Sequence, residues 1–142
     1  NVTQFELGWL AGIIDGEGSI LIVKRGPTYV PEVKMSNTSK LLIDTYCEIL
    51  DRLEISYHCY GKHKPGNRKY QWTVAISGRP RVNKCLLLLQ DLIIARRRQA
   101  EKVLLWIELR GLDLRGPYTE EQLKLRDELR KLNQRGLAGS EM

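Results

Sequence analysis

The sequence predicts an α+β fold in which an αββαββα core is followed by two further helices. Apolar residues recur every three to four positions in several segments, which is the period of a helix buried on one face. Apolar and polar residues alternate in four other segments, which is the period of a strand. These strands come in two pairs, so we expect antiparallel hairpins in one sheet. Helices on one side of such a sheet leave its other side open to water.

The first helix is predicted over residues 3–15. Thr3 followed by Glu6 is typical of a capping box at its start. Its apolar stripe consists of Leu7, Leu10 and Ile14. Gly16 and Gly18 predict its end, because glycine adopts backbone conformations that are closed to other residues.

The remaining elements follow from the same two periods. Strands are expected over residues 19–24, 29–37, 56–62 and 69–77. Helices are expected over residues 40–53, 81–94, 97–110 and 119–133. We expect one domain over residues 1–136, followed by a flexible tail over residues 137–142.

The first helix has a second stripe of mostly small residues. It consists of Gly8, Ala11, Gly12 and Asp15. A glycine inside a helix costs roughly 1 kcal/mol relative to alanine, so two glycines four residues apart predict a close approach to the backbone. The approaching element is either a strand of the same domain or a second helix, and the sequence leaves both open.

Polar residues alternate along the strands and predict a polar, open face of the sheet. The residues assigned to this surface are Arg25, Glu32, Lys34, Ser36, Lys69, Gln71 and Thr73, with Arg68 in the adjoining turn. Such side chains reach phosphates and base edges of nucleic acids, but a solvated sheet face needs polar residues as well. The net charge of +6 favours a polyanionic partner without identifying it. The alternation does not decide which face of the strand at 56–62 belongs to this surface.

Two acids flank Gly16 at the end of the first helix, Asp15 and Glu17. A carboxylate at a helix C-terminus meets the negative end of the helix dipole, which favours a compensating cation there. Mg²⁺ takes oxygen ligands and often uses one or two carboxylates with substrate phosphates. The alternative is that these residues form a polar stop signal of the kind common in turns.

The three cysteines, Cys47, Cys59 and Cys85, show no paired spacing that would indicate zinc binding or a disulfide framework. Each is flanked by apolar residues, and we expect each to act as a small core side chain. No segment has the apolar length of a membrane span, and the first residues lack the features of a signal peptide. We therefore expect an intracellular protein without a membrane partner, in an organelle (chloroplast or mitochondrion) or a prokaryotic cytoplasm.

The run LAGIIDGEG, from Leu10 to Gly18, resembles the signature nonapeptide of the LAGLIDADG homing endonucleases. The matching positions are Leu10, Ala11, Gly12, Ile14, Asp15 and Gly18. Similarity to the family continues through Arg98-Gln99-Ala100 and Leu132-Asn133. The motif occurs once in this chain.

The resemblance implies a saddle-shaped sheet that lies in the DNA major groove. In this family, chains with one motif dimerise, so the resemblance implies a homodimer joined through the face with Gly8, Ala11, Gly12 and Asp15. Its target would be palindromic or nearly so, because two equivalent halves of the dimer read it. The implied reaction is hydrolysis of one phosphodiester in each strand, across the minor groove, leaving 3′ overhangs.

The resemblance also implies roles for single residues. Glu17 takes the position of the metal-binding acid, with the carbonyl of Gly16 as a further ligand of Mg²⁺, of Mn²⁺, or of Ca²⁺ in a non-cleaving form. Asn37 takes the position of a polar residue that orients water. Arg96 takes that of a basic residue that stabilises charge, with Arg97 and Arg98 as neighbouring candidates. Lys40 is a further basic candidate.

Two other functions are compatible with the same resemblance. One is a maturase that assists the splicing of intron RNA, and the other is a DNA-binding regulator without catalysis. Glu17 and the basic residues around Arg96 favour the endonuclease.

Overall fold

The computed structural model describes residues 1–63, 66, 69–112 and 115–135. Within them the chain forms five helices and one four-stranded sheet. The elements are α1 (Gln4–Glu17), β1 (Gly18–Arg25), β2 (Thr28–Asn37), α2 (Lys40–Arg52), β3 (His58–His63), β4 (Tyr70–Ser77), α3 (Arg79–Leu89), α4 (Arg97–Arg110) and α5 (Glu120–Arg135). The α+β fold and the predicted order of elements are confirmed. Arg68 and the tail at 137–142 lie outside the described residues.

The sheet has the strand order β1-β2-β4-β3, and all neighbouring strands are antiparallel. β2 and β4 are therefore central, and β1 and β3 are the edges. Ile20 pairs with Val33, which pairs with Ile76, and all three side chains are fully buried. Directly paired residues share one face of a sheet, so this row marks the face that is covered by the helices.

The helices supply the other half of the core. Leu10 and Ile14 of α1, Tyr46 of α2, Leu86 of α3 and Trp106 of α4 are at most 1% exposed. Each fully buried side chain of this size contributes about 1.5–3 kcal/mol to folding. The core therefore fixes α1 against the sheet and sets the position of its C-terminal end.

Several helix boundaries differ from the sequence prediction, and two of these differences bear on the end of α1. α1 runs two residues further, so Glu17 is its last residue. α3 ends at Leu89 instead of residue 94, because the chain turns there with hydrogen bonds from the Leu92 and Ile93 amides to the Leu89 carbonyl. This turn brings the following segment against the end of α1.

The edge of β1 is covered by side chains of α5. Nε of Arg126 donates to the Ile22 carbonyl at 3.2 Å, and Nδ2 of Asn133 donates to the Ile20 carbonyl at 3.1 Å. An edge strand otherwise presents unpaired backbone groups. α5 thus satisfies two acceptors of β1.

The cysteines differ in their surroundings. Cys85 is fully buried, Cys47 is half-buried and Cys59 is exposed. The expectation of a core position is wrong for Cys59, because β3 is an edge strand. Burial raises the pKa of the Cys85 thiol to about 12 and that of the Cys47 thiol to about 11.

The described helices include none that is both long enough and apolar enough to cross a membrane.

Candidate active site

Glu17 ends α1 as an exposed carboxylate whose partner lies on β2. Nδ2 of Asn37 donates to its Oε1 at 2.8 Å. The carbonyl oxygen of the same Asn37 side chain accepts from the backbone N–H of Ser39, also at 2.8 Å. Because the Ser39 amide can only donate, the Asn37 side chain must turn its NH₂ group toward Glu17. The two predicted site residues are thus brought together in a fixed orientation.

Gly18 allows α1 to end directly on the sheet. A Cβ at this position would lie 2.9 Å from the Ile14 carbonyl oxygen and 3.0 Å from that of Lys34. Its φ of −107° is open to any residue, and Gly16 likewise is not among the glycines with positive φ. The expected reason for these glycines, unusual backbone conformation, is therefore wrong; at Gly18 the reason is close approach of the backbone.

Asp15 is engaged within its own chain. Its two carboxylate oxygens accept from the backbone N–H groups of Ile94 at 2.7 Å and Arg96 at 3.1 Å. The carboxylate thus anchors the connection between α3 and α4 to the last turn of α1. Glu17 remains as the acid of this pair that faces open space.

Arg96 reaches the same helix end with its side chain. Its Nε donates to the Ile14 carbonyl at 3.2 Å. α1 has no basic residue in its own last turn, so Arg96 supplies positive charge at the negative end of the helix dipole. The candidate basic residue and the candidate acid are therefore at one end of α1.

Lys40, the further basic candidate, pairs with an acid on its own helix. Its Nζ lies 2.8 Å from Asp44, one turn further along α2. The hydrogen bond with Asp44 raises the pKa of the Lys40 ammonium group. The structure shows a surface ion pair here and no contact with Glu17.

The residues present fit Mg²⁺ as a partial site. No group of three or more His, Cys, Asp or Glu side chains that could hold a metal occurs among the described residues. One chain offers the Glu17 carboxylate, with the exposed Gly16 beside it. Mg²⁺ commonly uses one or two carboxylates, waters and substrate phosphates. The donor set suits this ion once a second carboxylate and a phosphate are added.

The outer face of α1 is flat and exposed. Gly8, Gly12 and Gly16 follow at four-residue spacing, and a Cβ at any of them would meet nothing within 4 Å. Phe5 on the same helix is 81% exposed. Ala11 is fully buried in the core of its own chain. Its assignment to an outward dimer face is wrong, because it turns inward beside Leu10.

The open face of the sheet is continuous across all four strands. Lys34 pairs with Ser19 and with Ala75, which pairs with His58. The next row is Ser36, Thr73 and Tyr60, and the Ser36 and Thr73 hydroxyls are 2.7 Å apart. Gln71 pairs with Lys62. Register therefore assigns three residues that sequence reasoning left open to this surface: His58, Tyr60 and Lys62.

Glu32 belongs to this face and yet is 1% exposed. Its Oε2 accepts from the Arg25 guanidinium and from the Ser77 hydroxyl, the latter at 3.1 Å. A direct DNA contact by Glu32 is therefore not what the structure shows, because Arg25 and Ser77 occupy it. Alternation along β2 predicts that Glu32 lies on this face, but it does not predict that Arg25 and Ser77 cover the Glu32 carboxylate. Lys69, immediately before β4, is exposed as expected.

Comparison with family models identifies the family of this chain. Residues 4–102 match the family model described as LAGLIDADG-like domain. The chain belongs to this family. The match covers most of the chain and includes Glu17, Asn37 and Arg96.

A curated relative is 38% identical over 60 residues, the uncharacterized protein MJ0314 of Methanocaldococcus jannaschii. The match covers 42% of this chain and 23% of that protein. The chain thus spans about a quarter of the length of this curated relative.

Solved homing endonucleases share the fold. I-CvuI in complex with its target, in the presence of 2 mM Ca, superposes with a TM-score of 0.68 at 22% identity, covering 91% of this chain and 82% of that chain. A complex of I-CvuI with the I-CreI target in the presence of 2 mM Mg, with the DNA not cleaved, superposes with a TM-score of 0.56 at 20% identity, covering 92% of this chain and 96% of that chain. The group I intron-encoded homing endonuclease I-CeuI complexed with DNA superposes with a TM-score of 0.58 at 19% identity, covering 77% of this chain and 56% of that chain. At these identities the likeness shows the fold.

Proposed function

We propose that this protein is a site-specific endonuclease that cuts both strands of DNA with a divalent cation and acts as a homodimer. The observation that carries the proposal is the exposed Glu17 carboxylate, held by Asn37 at the end of a flat, glycine-lined helix face. Both carboxylate oxygens of the neighbouring Asp15 accept from backbone N–H groups, which leaves Glu17 as the open acid at this end of α1.

A second copy would complete the site. Two α1 helices that meet along Gly8 and Gly12 can approach closely, because glycine places no side chain between their backbones. When the two helices run in the same direction, such an approach sets the two C-terminal ends, and hence two Glu17 carboxylates, beside one another. Two carboxylates and a DNA phosphate form the donor set that Mg²⁺ prefers. The same symmetry predicts a palindromic or nearly palindromic target.

The chain's residues divide the work at this site. Glu17 would hold the cation, and Asn37 fixes the direction of the Glu17 carboxylate. Arg96 adds positive charge where the phosphodiester gains negative charge. A bound divalent cation would supply activation of water and neutralisation of the leaving oxygen.

The open face of the sheet supports the DNA part of the proposal. Lys34 and Lys62 provide positive charge there, and Gln71, Tyr60 and the outer N–H groups of the Glu32-paired Arg25 provide hydrogen-bonding groups beside them. Donors of this kind contact phosphates and base edges in the major groove.

The test begins with the selection of bound and cleaved sequences from a random duplex library with Mg²⁺. On the selected site, Glu17→Gln should slow cleavage by at least about 100-fold, since a metal ion held by its ligand lowers the barrier to cleavage by several kcal/mol. Glu128→Gln removes an acid that pairs with Lys102 between α4 and α5 and should cut at the wild-type rate.

Other results would assign a different function. Tight binding without cuts under Mg²⁺, Mn²⁺ or Ca²⁺ would indicate a regulator. Intact DNA together with protein-dependent splicing of an intron RNA would indicate a maturase. Cleavage that Glu17→Gln leaves unchanged would contradict the proposed site.

A further inference from the structure

A buried carboxylate underlies one end of the open sheet face. Glu32 has a side chain that is 2% exposed, whereas the Arg25 side chain that binds it is 58% exposed. Ser77, directly opposite Glu32 on β4, donates to the same oxygen, Oε2. Oε1 of Glu32 is buried and has no hydrogen-bond partner among the residues described.

The register shows that Arg25 must fold back along the sheet to make this contact. Arg25 lies opposite Thr28 at the end of the hairpin, and Glu32 lies opposite Leu21. The pair Val23 and Val30 occupies the same-face position between them. Without Glu32, a guanidinium at position 25 would be free to extend past the hairpin into water. Glu32 instead draws it over the surface of the strands.

We infer that Glu32 is a positioning residue that fixes Arg25 for the recognition of one base pair in each half of the target. This inference rests on the proposed function only in requiring that the open face binds DNA. Glu32 is too deeply buried to touch a base itself, so its effect must pass through Arg25.

Guanine is the base that this arrangement fits. Arginine donates two parallel hydrogen bonds to O6 and N7 of guanine in the major groove. A carboxylate that holds one side of the guanidinium leaves its other donors pointing outward, and the guanidinium has five N–H groups to share. A buried acceptor without a full set of partners is costly in a folded protein, which agrees with a role of Glu32 outside stability.

The surroundings support a recognition site. Arg25, Glu32, Lys34, His58 and Ser77 line the same depression on the open face, with a volume of about 440 Å³. Ala75, the smallest side chain of its row, also lines this depression. The edge of a base pair has room to enter beside the guanidinium.

The experiment measures base preference in the absence of cleavage. Binding to the selected site and to all its single-base-pair variants is measured in Ca²⁺ for the wild type, Arg25→Ala, Glu32→Gln and the double variant. Arg25→Ala should reduce the preference for guanine at one position of each half-site by about 5- to 100-fold. Glu32→Gln should reduce the preference at the same position by about 3- to 10-fold and leave other positions unchanged.

The double variant separates positioning from direct contact. If Glu32 acts through Arg25, Glu32→Gln has no further effect once Arg25 is alanine. A loss of preference by Glu32→Gln in the Arg25→Ala background would overturn the positioning role, and so would a loss at a different base pair.

Two controls keep the outcome interpretable. Ser77→Ala removes the second donor to Oε2 and should weaken the same preference, so it serves as the test if Glu32→Gln does not fold. Glu128→Gln, an acid away from the sheet, should show the wild-type profile. If the wild type selects no DNA sequence, both the proposed function and this inference are contradicted. If it selects a site and both Glu32→Gln and Ser77→Ala keep the wild-type profile, this inference alone fails.

Discussion

The side-chain amide of Asn37 links Glu17 to the start of α2. Its NH₂ group donates to Glu17 and its oxygen accepts from the Ser39 amide, each at 2.8 Å. Ser39 is itself the N-cap of α2. The carboxylate of the candidate site is therefore oriented by a residue that the next helix holds in place.

Changes at Asn37 should lower activity by removing this orientation. A hydrogen bond to a charged group contributes about 1.5–3 kcal/mol, which corresponds to roughly 10- to 100-fold in rate. We expect Asn37→Ala to lower the single-turnover cleavage rate by this factor with less effect on DNA binding in Ca²⁺. Asn37→Asp should lose more, because it sets a second carboxylate against Glu17. Equal rates for Asn37→Ala and wild type would show that the contact does not serve the reaction.

A substitution on the glycine face of α1 should change the proposed dimerisation without changing the fold of one chain. A Cβ at Gly12 meets nothing within 4 Å in one chain, so Gly12→Leu should leave the folded chain intact. It should weaken the dimer, which analytical ultracentrifugation and cleavage at low protein concentration would measure. Gly12→Ala should stabilise the isolated chain by about 1 kcal/mol through helix propensity.

The matched control for that change is Lys124→Leu, an exposed position on α5. It adds the same side chain to a helix surface outside the glycine face and should sediment as the wild type does. A wild-type protein that sediments as a single chain even with target DNA and Mg²⁺ would contradict the homodimer.

Asp15 should matter for stability more than for direct catalysis. Asp15→Ala removes the acceptors of two backbone N–H groups, those of Ile94 and Arg96. We expect the free energy of unfolding in urea to fall by about 1–3 kcal/mol. Hydrogen exchange at these two amides should accelerate. Asp91→Ala, which removes an exposed carboxylate from the same connection, should leave both measurements unchanged.

An ion pair between α1 and α2 predicts how stability depends on pH. The Arg52 guanidinium, with Nη2 at 2.5 Å from Oε2, and the Thr3 backbone N–H lower the pKa of Glu6 to about 2. Because the folded-state pKa is depressed, the stabilisation is present above the ordinary value of 4.5 and is lost as the pH falls toward 2.

Melting temperatures across this range should show the effect. The wild type should exceed Glu6→Gln at neutral pH, and the difference should shrink between about pH 4.5 and pH 2. A difference that stays constant through this window would show that the carboxylate charge of Glu6 does not contribute.

Local sequence signals predicted the elements well because each signal and its structural partner lie close together in the chain. Thr3 and Glu6 form the expected capping box. In β4, the apolar residues Val74 and Ile76 alternate with small or polar neighbours in the sequence and are fully buried, whereas Tyr70 of the same set is exposed at the strand's start. The family resemblance assigned roles to Glu17 and Asn37 but did not predict their hydrogen bond, since nothing local joins residues 20 positions apart.

Some contacts could not be predicted because neither residue type nor spacing in the sequence reveals them. Asp15 binds two backbone amides, and any residue at those positions would provide them. Glu32 is buried because Arg25 folds over it, which depends on side-chain conformation. Ala11 turns inward because its place around the helix is set by packing against the sheet. These are properties of the tertiary structure, and periodicity alone does not contain them.

The two hydrogen bonds from α5 to β1 affect how the protein behaves toward other polypeptide chains. Arg126 and Asn133 occupy carbonyls that a foreign strand would otherwise capture. A chain shortened after α4 would keep Glu17 and Asn37 but would offer β1 as a template to any extended peptide. Its first failure should therefore be aggregation, before any defect in DNA cutting could be observed.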